Sequence, residues 1–200
     1  MSRTVKRRFL KPIVWLALAL PGVMMTVDLA RGAVLPMDLL HPTGELSVRL
    51  MILAMLAGPV AGIFGPNRFT RGWLGWRRNL GVAAFAYGLL HLFFYLIDMG
   101  LLAAVLDELI LPSIWTGWLA LAVMLVPAAI SFDQAMIVLG RRMWKGMQRL
   151  VWPALLLSLA HWLLLDWKWQ PAVVHLAPLL IAWSVLGLRR LTHRKSGMPA

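Results

Sequence analysis

The chain has 200 residues, of which 60% are hydrophobic and eleven are tryptophan, and its mean hydropathy is +0.75. This composition excludes an ordinary soluble domain and indicates an integral membrane protein. The absence of cysteine excludes disulfides, thiolate nucleophiles and iron–sulfur clusters. The formal charge of +12 could suggest nucleic-acid binding, but the placement of the charges indicates another role.

Six apolar stretches, each about long enough to cross a ~30 Å hydrocarbon core, follow one another along the chain. They lie near residues 12–30, 47–65, 80–98, 114–131, 148–166 and 172–190. The predicted fold is therefore an all-α integral membrane protein, a six-transmembrane helix bundle over 12–190 with basic segments at 1–11 and 191–200. The N-terminus is similar to a signal peptide, but its cleavage pattern is poor, and we expect an uncleaved helix.

The charges separate into two sets that predict the topology. Seven of the eight acids fall on one side of the predicted spans, and only Asp133 does not. By the positive-inside rule, the basic side and both termini are predicted to be cytoplasmic. Seventeen of the twenty cations lie on that side: Arg3, Lys6, Arg7, Arg8, Lys11, Arg68, Arg71, Arg77, Arg78, Arg141, Arg142, Lys145, Arg149, Arg189, Arg190, Arg194 and Lys195.

Proline and glycine mark the predicted connections. The segment 32–44, with Pro36 and Pro42, reads as the first outer loop. The outer segment 99–113 predicts a short interfacial helix, and the inner segment 132–147 predicts either a surface helix or an extension of spans four and five. Short connections predict that sequential helices are neighbours. Gly58 and Gly62 form a GxxxG pattern typical of close helix packing.

Two histidines lie within the apolar stretches at one predicted depth. His91 lies 13 residues beyond Arg78 and His161 lies 12 residues beyond Arg149. At 1.5 Å per residue, these separations correspond to roughly 20 Å and roughly 18 Å from the cytoplasmic side. Ionisable groups at such depth are costly and usually face the bundle interior. A pair of neutral imidazoles across an apolar slot is typical of a noncovalent bis-histidine haem in the outer half of the bilayer.

Other roles for this pair stay open at the level of sequence. Each histidine could be bonded to a neighbouring helix, as in a haem-free scaffold. Zinc is disfavoured because no cysteine or carboxylate shares the depth. A proton relay or an ion-coupled transporter is disfavoured because the spans lack central carboxylates. His41, before Pro42, and His175, near the outer end of span six, are interpreted as interfacial anchors or as contacts to haem or a quinone headgroup.

Several short motifs carry a family resemblance. Arg77-Arg78-Asn79-Leu80-Gly81 precedes Leu90-His91, and Gln134-Ala135-Met136, Leu139-Gly140 and Trp144 precede the second histidine. With His41-Pro42-Thr43-Gly44, these stretches resemble the ferric-reductase-like membrane domain, and the chain is similar to its YedZ/MsrQ family. The resemblance covers nearly the whole chain.

The resemblance implies a function for the chain in the bacterial inner membrane. It implies a subunit with no catalytic site of its own that carries b-type haem on His91 and His161. It implies electron transfer from the quinone pool, or from a cytoplasmic flavin reductase, to a periplasmic molybdopterin partner that reduces methionine sulfoxide. FMN is also associated with this family.

One position departs from the family pattern. Such domains typically place a further histidine about 13 residues before the last one, at the cytoplasmic end of span five, where it serves a second haem. That position is Gln148 here, and an amide is a poor iron ligand. We therefore expect one haem, in the outer half of the bilayer. This arrangement favours a quinol donor, because a cytoplasmic flavin would face a gap of roughly 20 Å.

Overall fold

Every element in the described part of the chain is an α-helix. A computed structural model describes residues 3–166 and 169–195. Six of its helical stretches are long and apolar enough to cross a membrane, as the sequence predicts, and the fifth, Asp133–Leu165, covers two of the helices named below. In chain order, the helices are α1 (Arg3–Ala30), α2 (Pro36–Phe64), α3 (Arg68–Met99), α4 (Leu102–Glu108), α5 (Pro112–Ala129), α6 (Asp133–Gln148), α7 (Val151–Asp166) and α8 (Trp169–Lys195).

Two helix pairs form the centre of the bundle. Helix α2 packs most extensively on α3, and α5 packs most extensively on α7. The pairs meet where α3 contacts α5 and α2 contacts α7, while α8 lies against α2. Sequential spans are in contact, as predicted, but α1 packs more on α3 than on α2. Most of the apolar surface of α1 faces outward, as expected for a helix in contact with lipid.

The two ends of the bundle differ in charge. We call the end where α2 begins and α3 ends the acidic end, because it carries Asp38, Asp98 and Glu108. We call the opposite end, where α3 begins and α5 ends, the basic end. Arg78 of α3 and Asp133 of α6 form a salt bridge of 2.6 Å at the basic end. The six long helices alternate in direction between these two ends, as an up-and-down bundle requires.

The prediction of an outer loop over residues 32–44 is wrong for most of that range. Helix α2 begins at Pro36, so His41-Pro42-Thr43-Gly44 lies inside this helix. Pro36 occupies the first turn, where a missing N–H costs nothing, and the Asp38 carboxylate accepts the Leu35 N–H at 3.0 Å. The motif is therefore held by a helix and faces the neighbouring spans.

The two predicted connecting helices are present. Helix α4 occupies the outer segment, and α6 occupies the inner one. Gly140 interrupts α6 with φ 72° and ψ 151°, a backbone conformation that favours glycine. Helix α3 begins at Arg68 rather than near residue 80, because Asn67 and Thr70 form a capping box that starts the helix at the basic end.

A tyrosine attaches α1 to the rest of the bundle. The hydroxyl of Tyr87 donates to the carbonyl of Leu18 at 2.8 Å and accepts the N–H of Gly22 at 3.0 Å. Leu18 and Gly22 are four residues apart, the spacing of a helical hydrogen bond, so the hydroxyl is inserted between donor and acceptor next to Pro21. Tyr87 is itself buried on α3.

Candidate functional site

A cavity of about 540 Å³ opens within the acidic half of the bundle. Helices α2, α3, α5 and α7 enclose it, and its lining includes both predicted intramembrane histidines. Most of the remaining lining is apolar, with a few polar side chains. This combination is typical of a site for a cofactor or another small molecule.

Helix α2 fixes the ring of His91. Its Nδ1 lies 2.9 Å from the carbonyl oxygen of Leu40, and the Thr43 hydroxyl lies 3.4 Å from the same nitrogen. A carbonyl oxygen can only accept, so Nδ1 carries the proton and donates to Leu40. In the neutral imidazole, Nε2 then keeps its lone pair.

The ring of His161 is fixed in the same way from α5. Its Nδ1 donates to the carbonyl oxygen of Ser113, at the first turn of that helix. The Nε2 atom of the neutral ring again keeps a free lone pair. Both histidines therefore adopt the tautomer in which Nε2 can bind a metal ion.

The two rings lie next to each other. Their centroids are 6.0 Å apart and their planes cross at 87°. His91 comes from α3 and His161 from α7, so the depth predicted for each from the sequence places them together as expected. The part of the chain that the structure describes contains no cluster of three or more histidine and carboxylate groups that could hold a metal ion without a further ligand.

A second polar cluster lies beside the cavity. Trp162 contacts His41 on one side, with ring centroids 5.7 Å apart, and His175 on the other, at 5.3 Å. Arg49 donates from Nε to Nε2 of His175 at 3.0 Å and pairs with Glu45 at 2.6 Å. His41 lines the cavity, whereas His175 is outside the set of described residues that line it.

The remaining predicted site residues lie at the basic end. Gln148 donates from Nε2 to the carbonyl of Pro127 at 3.1 Å, which ties the end of α6 to the end of α5. Arg78 is paired with Asp133, and Arg77 precedes it on α3. The structure does not bring Gln148, Arg77 or Arg78 to the cavity in the acidic half.

The residues of α5 beside His161 were not predicted from the sequence. Ser113 and Gly117 lie against the ring, and the Thr116 hydroxyl bonds the same Ser113 carbonyl, but each is an ordinary residue in an apolar stretch. The available signal was a repeated dipeptide, since Thr43-Gly44 and Thr116-Gly117 each precede one of the two histidines by fewer than fifty residues. Tyr95 follows His91 in the sequence and lines the cavity, but its hydroxyl bond to Glu108 of α4 at 2.8 Å could not be predicted from the sequence.

Comparison with known proteins identifies the family of the chain. The family model described as ferric reductase like transmembrane component matches residues 43–159, which include His91 and end before His161. No solved structure matches the chain.

Curated relatives cover most of the chain. The protein-methionine-sulfoxide reductase heme-binding subunit MsrQ of Xanthomonas campestris pv. campestris strain 8004 is 32% identical over 179 residues, 85% of this chain and 80% of the relative. The proteins of the same name from Brucella ovis and Brucella abortus strain 2308 are 31% identical over 153 residues, 75% of this chain and 67% of each relative. The chain is thus a multi-pass membrane protein that belongs to the ferric reductase-like transmembrane family and, within it, to the YedZ/MsrQ family.

Proposed function

We propose that the chain is a b-type haem subunit that passes electrons across the bacterial inner membrane, with His91 and His161 as the two axial ligands of one haem. The main support for the proposal is the pair of adjacent imidazoles, from α3 and α7, that line one cavity. Each ring is held through Nδ1, so each Nε2 is available to the iron. Relatives named as heme-binding subunits support the same cofactor.

The size of the site suits a cofactor. His91 and His161 would hold the iron through their Nε2 atoms, and their ring centroids are 6.0 Å apart. The cavity of about 540 Å³ lies within the usual range for bound cofactors, roughly 300–1,000 Å³.

The chain's own residues bind and enclose the group. Haem iron supplies one-electron transfer, while the protein sets its ligands and its exposure to water. Apolar side chains from α2, α3, α5 and α7 form most of the wall, and the carboxylates of Glu45, Asp98 and Glu108 also line the cavity. We infer no catalytic residue in this chain, since the final reduction belongs to the partner.

The position of the proposed single haem favours one electron donor and one acceptor. The basic end is proposed to be cytoplasmic, so the cavity lies toward the periplasm. At the basic end, Gln148 donates to the carbonyl of Pro127 and Arg78 pairs with Asp133. These contacts argue against a second haem at that end. A quinol in the bilayer is therefore the proposed donor, ahead of a cytoplasmic flavin reductase or FMN, and a periplasmic molybdopterin methionine sulfoxide reductase is the proposed acceptor.

A haem-free scaffold is the competing function. It is favoured by the hydrogen bonds that both histidines make to backbone carbonyls. It does not account for a cavity lined by two histidines that are both held through Nδ1. The two functions predict opposite results when the histidines are replaced.

The test compares three histidine variants purified in detergent. His91→Ala and His161→Ala are expected to lose the visible haem spectrum, because one imidazole alone leaves the iron without its second ligand. His175→Ala is the matched control and is expected to keep the haem. Full haem retention in both ligand variants, or a colourless wild type that stays folded, would favour the scaffold.

A second measurement tests the donor. Wild-type protein in lipid vesicles is mixed with a short-chain quinol, and haem reduction is followed by absorbance. Reduction by the quinol without any flavoprotein supports the proposed path. Reduction only when a flavin reductase and its nicotinamide are present would contradict it.

A further inference from the structure

Each of the two histidines rests on the same small arrangement of backbone and side chain. His91 donates to the carbonyl of Leu40, and His161 donates to the carbonyl of Ser113. In an α-helix, a carbonyl normally bonds the N–H four residues later. That later residue is Gly44 in α2 and Gly117 in α5. Each histidine therefore donates to a carbonyl oxygen that lies four residues before a glycine.

Because neither glycine has a side chain, the imidazole ring can occupy the space beside it. A Cβ atom on Gly44 would lie 3.2 Å from Nδ1 of His91, and a Cβ atom on Gly117 would lie 2.8 Å from Nδ1 and Cε1 of His161. Carbon atoms in contact prefer separations of about 3.5–4.0 Å. Any other residue at Gly117 would therefore push the ring away from the Ser113 carbonyl, and the same change at Gly44 would press on His91 less strongly.

A buried threonine precedes each glycine. The Thr43 hydroxyl donates to the carbonyls of Leu39 at 2.6 Å and Leu40 at 3.1 Å. The Thr116 hydroxyl donates to the carbonyls of Pro112 at 2.6 Å and Ser113 at 2.9 Å. The two threonines are 0% and 5% exposed, so both hydroxyls are fixed in the interior. The hydroxyl thus shares the carbonyl that accepts the histidine proton.

The arrangement repeats at the level of helix pairs. One copy joins α2 to α3, and the other joins α5 to α7, which are the two pairs with the most extensive contact. In each pair the threonine and glycine come from the first helix and the histidine comes from the second. The acidic half of the bundle is therefore built from two similar two-helix units that face each other across the cavity.

We propose that Thr43-Gly44 and Thr116-Gly117 are two copies of one positioning device that directs Nε2 of His91 and His161 at the haem iron and sets the basicity of both ligands. This inference rests on the proposed function. A hydrogen bond from the outer ring nitrogen fixes the tautomer and raises the basicity of a ligating imidazole. A threonine hydroxyl on the same carbonyl is a second donor to that oxygen. It draws electron density from the oxygen and so weakens the bond from the imidazole.

The first test replaces the glycines. Gly117→Ala is expected to lose most of the haem or to change the iron from low spin to high spin. Gly44→Ala is expected to keep haem with a shifted midpoint potential. Gly58→Ala in α2 and Gly72→Ala in α3 are matched controls, since a Cβ atom at either position has no atom within 4 Å, and both are expected to match the wild type.

The second test replaces a threonine and uses the midpoint potential, with a serine variant as the control for a structural defect. Thr116→Val removes the competing donor, strengthens the bond from His161 to Ser113 and is expected to shift the haem to a more negative potential. Thr116→Ser keeps the hydroxyl and is expected to restore the wild-type potential. If Gly117→Ala fails to fold, the midpoint potentials of Gly44→Ala and Thr116→Val test the positioning device.

Three results are distinguishable. Wild-type haem with wild-type spin state and potential in Gly117→Ala, Gly44→Ala and Thr116→Val would overturn the positioning device alone. A haem-free wild type would overturn the proposed function and this inference together. The proposed function and the positioning device are both supported if Gly117→Ala perturbs the haem more than Gly44→Ala, the two control glycine variants match the wild type, and Thr116→Ser has the wild-type potential.

Discussion

The imidazole planes of His91 and His161 cross at 87° with their centroids 6.0 Å apart. The crossing is fixed by hydrogen bonds from the two rings to carbonyls on different helices, α2 and α5. Because each ring is held through the backbone, rotation of either ring requires the loss of its Nδ1 hydrogen bond. The relative orientation is therefore a property of the bundle.

This orientation predicts a spectroscopic signature for the oxidised haem. When two axial imidazole planes are perpendicular, their effects on the iron d orbitals cancel, and two of these orbitals become nearly equal in energy. We expect a highly anisotropic low-spin signal in the electron paramagnetic resonance spectrum of the frozen protein. An ordinary rhombic low-spin signal with three well-resolved g values would show parallel rings and contradict the predicted geometry.

Gln148→Ala is expected to lower stability without removing haem. The side chain donates to the carbonyl of Pro127, and the loss of one such bond costs about 0.5–1.5 kcal/mol. Thermal unfolding in detergent measures the cost, with exposed Gln134→Ala as the control. A drop in haem per chain in the Gln148 variant would instead assign this residue to a cofactor at the basic end.

Tyr87→Phe is expected to loosen α1. Its hydroxyl bridges the carbonyl of Leu18 and the N–H of Gly22, and the loss of a hydrogen bond costs about 0.5–1.5 kcal/mol. Hydrogen exchange of α1 amides and thermal unfolding report the effect. The other tyrosine serves as the control, because Tyr95→Phe removes a single bond to Glu108 at the cavity edge and leaves α1 untouched. Equal exchange in both variants would contradict the attachment of α1 through Tyr87.

Gly62→Ala is expected to weaken the contact between α2 and α8. A Cβ atom there would lie 2.8 Å from Cδ1 of Leu186, a buried side chain, and such overpacking typically costs about 1–3 kcal/mol. Because the clash is with the end of a flexible side chain, the low end of that range is expected. The change is measured by thermal unfolding, with Gly58→Ala as the control.

A double-mutant cycle identifies the cause of that loss. In a Leu186→Ala background the clash is absent, so the added cost of Gly62→Ala is expected to vanish. Additive effects of the two substitutions would mean that Leu186 is not the side chain displaced by the new methyl group.

The sequence predicts the bundle well because length and hydropathy alone determine which segments can cross a membrane. The six spans follow from these two properties. The start of α2 does not, since Pro42 and Gly44 read as turn residues while Pro36 and Asp38 begin a helix there. Local turn preferences were overridden by packing of this segment against α3.

The histidine pair was also within reach of sequence, because a rise of 1.5 Å per residue places both rings at one depth. The contacts that hold the two histidine rings could not be predicted from the sequence. Which carbonyl a ring meets depends on the rotation of each helix about its axis, and apolar stretches without a polar face give little information on that rotation. The Thr-Gly pairs become meaningful only when α2 and α5 are seen against His91 and His161.

The most direct test of the account is the haem content of the wild-type chain. Protein purified from membranes is extracted, its haem is identified and counted per chain, and its reduced-minus-oxidised absorption spectrum is recorded. We predict one b-type haem per chain with a low-spin bis-imidazole spectrum. A folded but colourless protein, or two haems per chain, would contradict it.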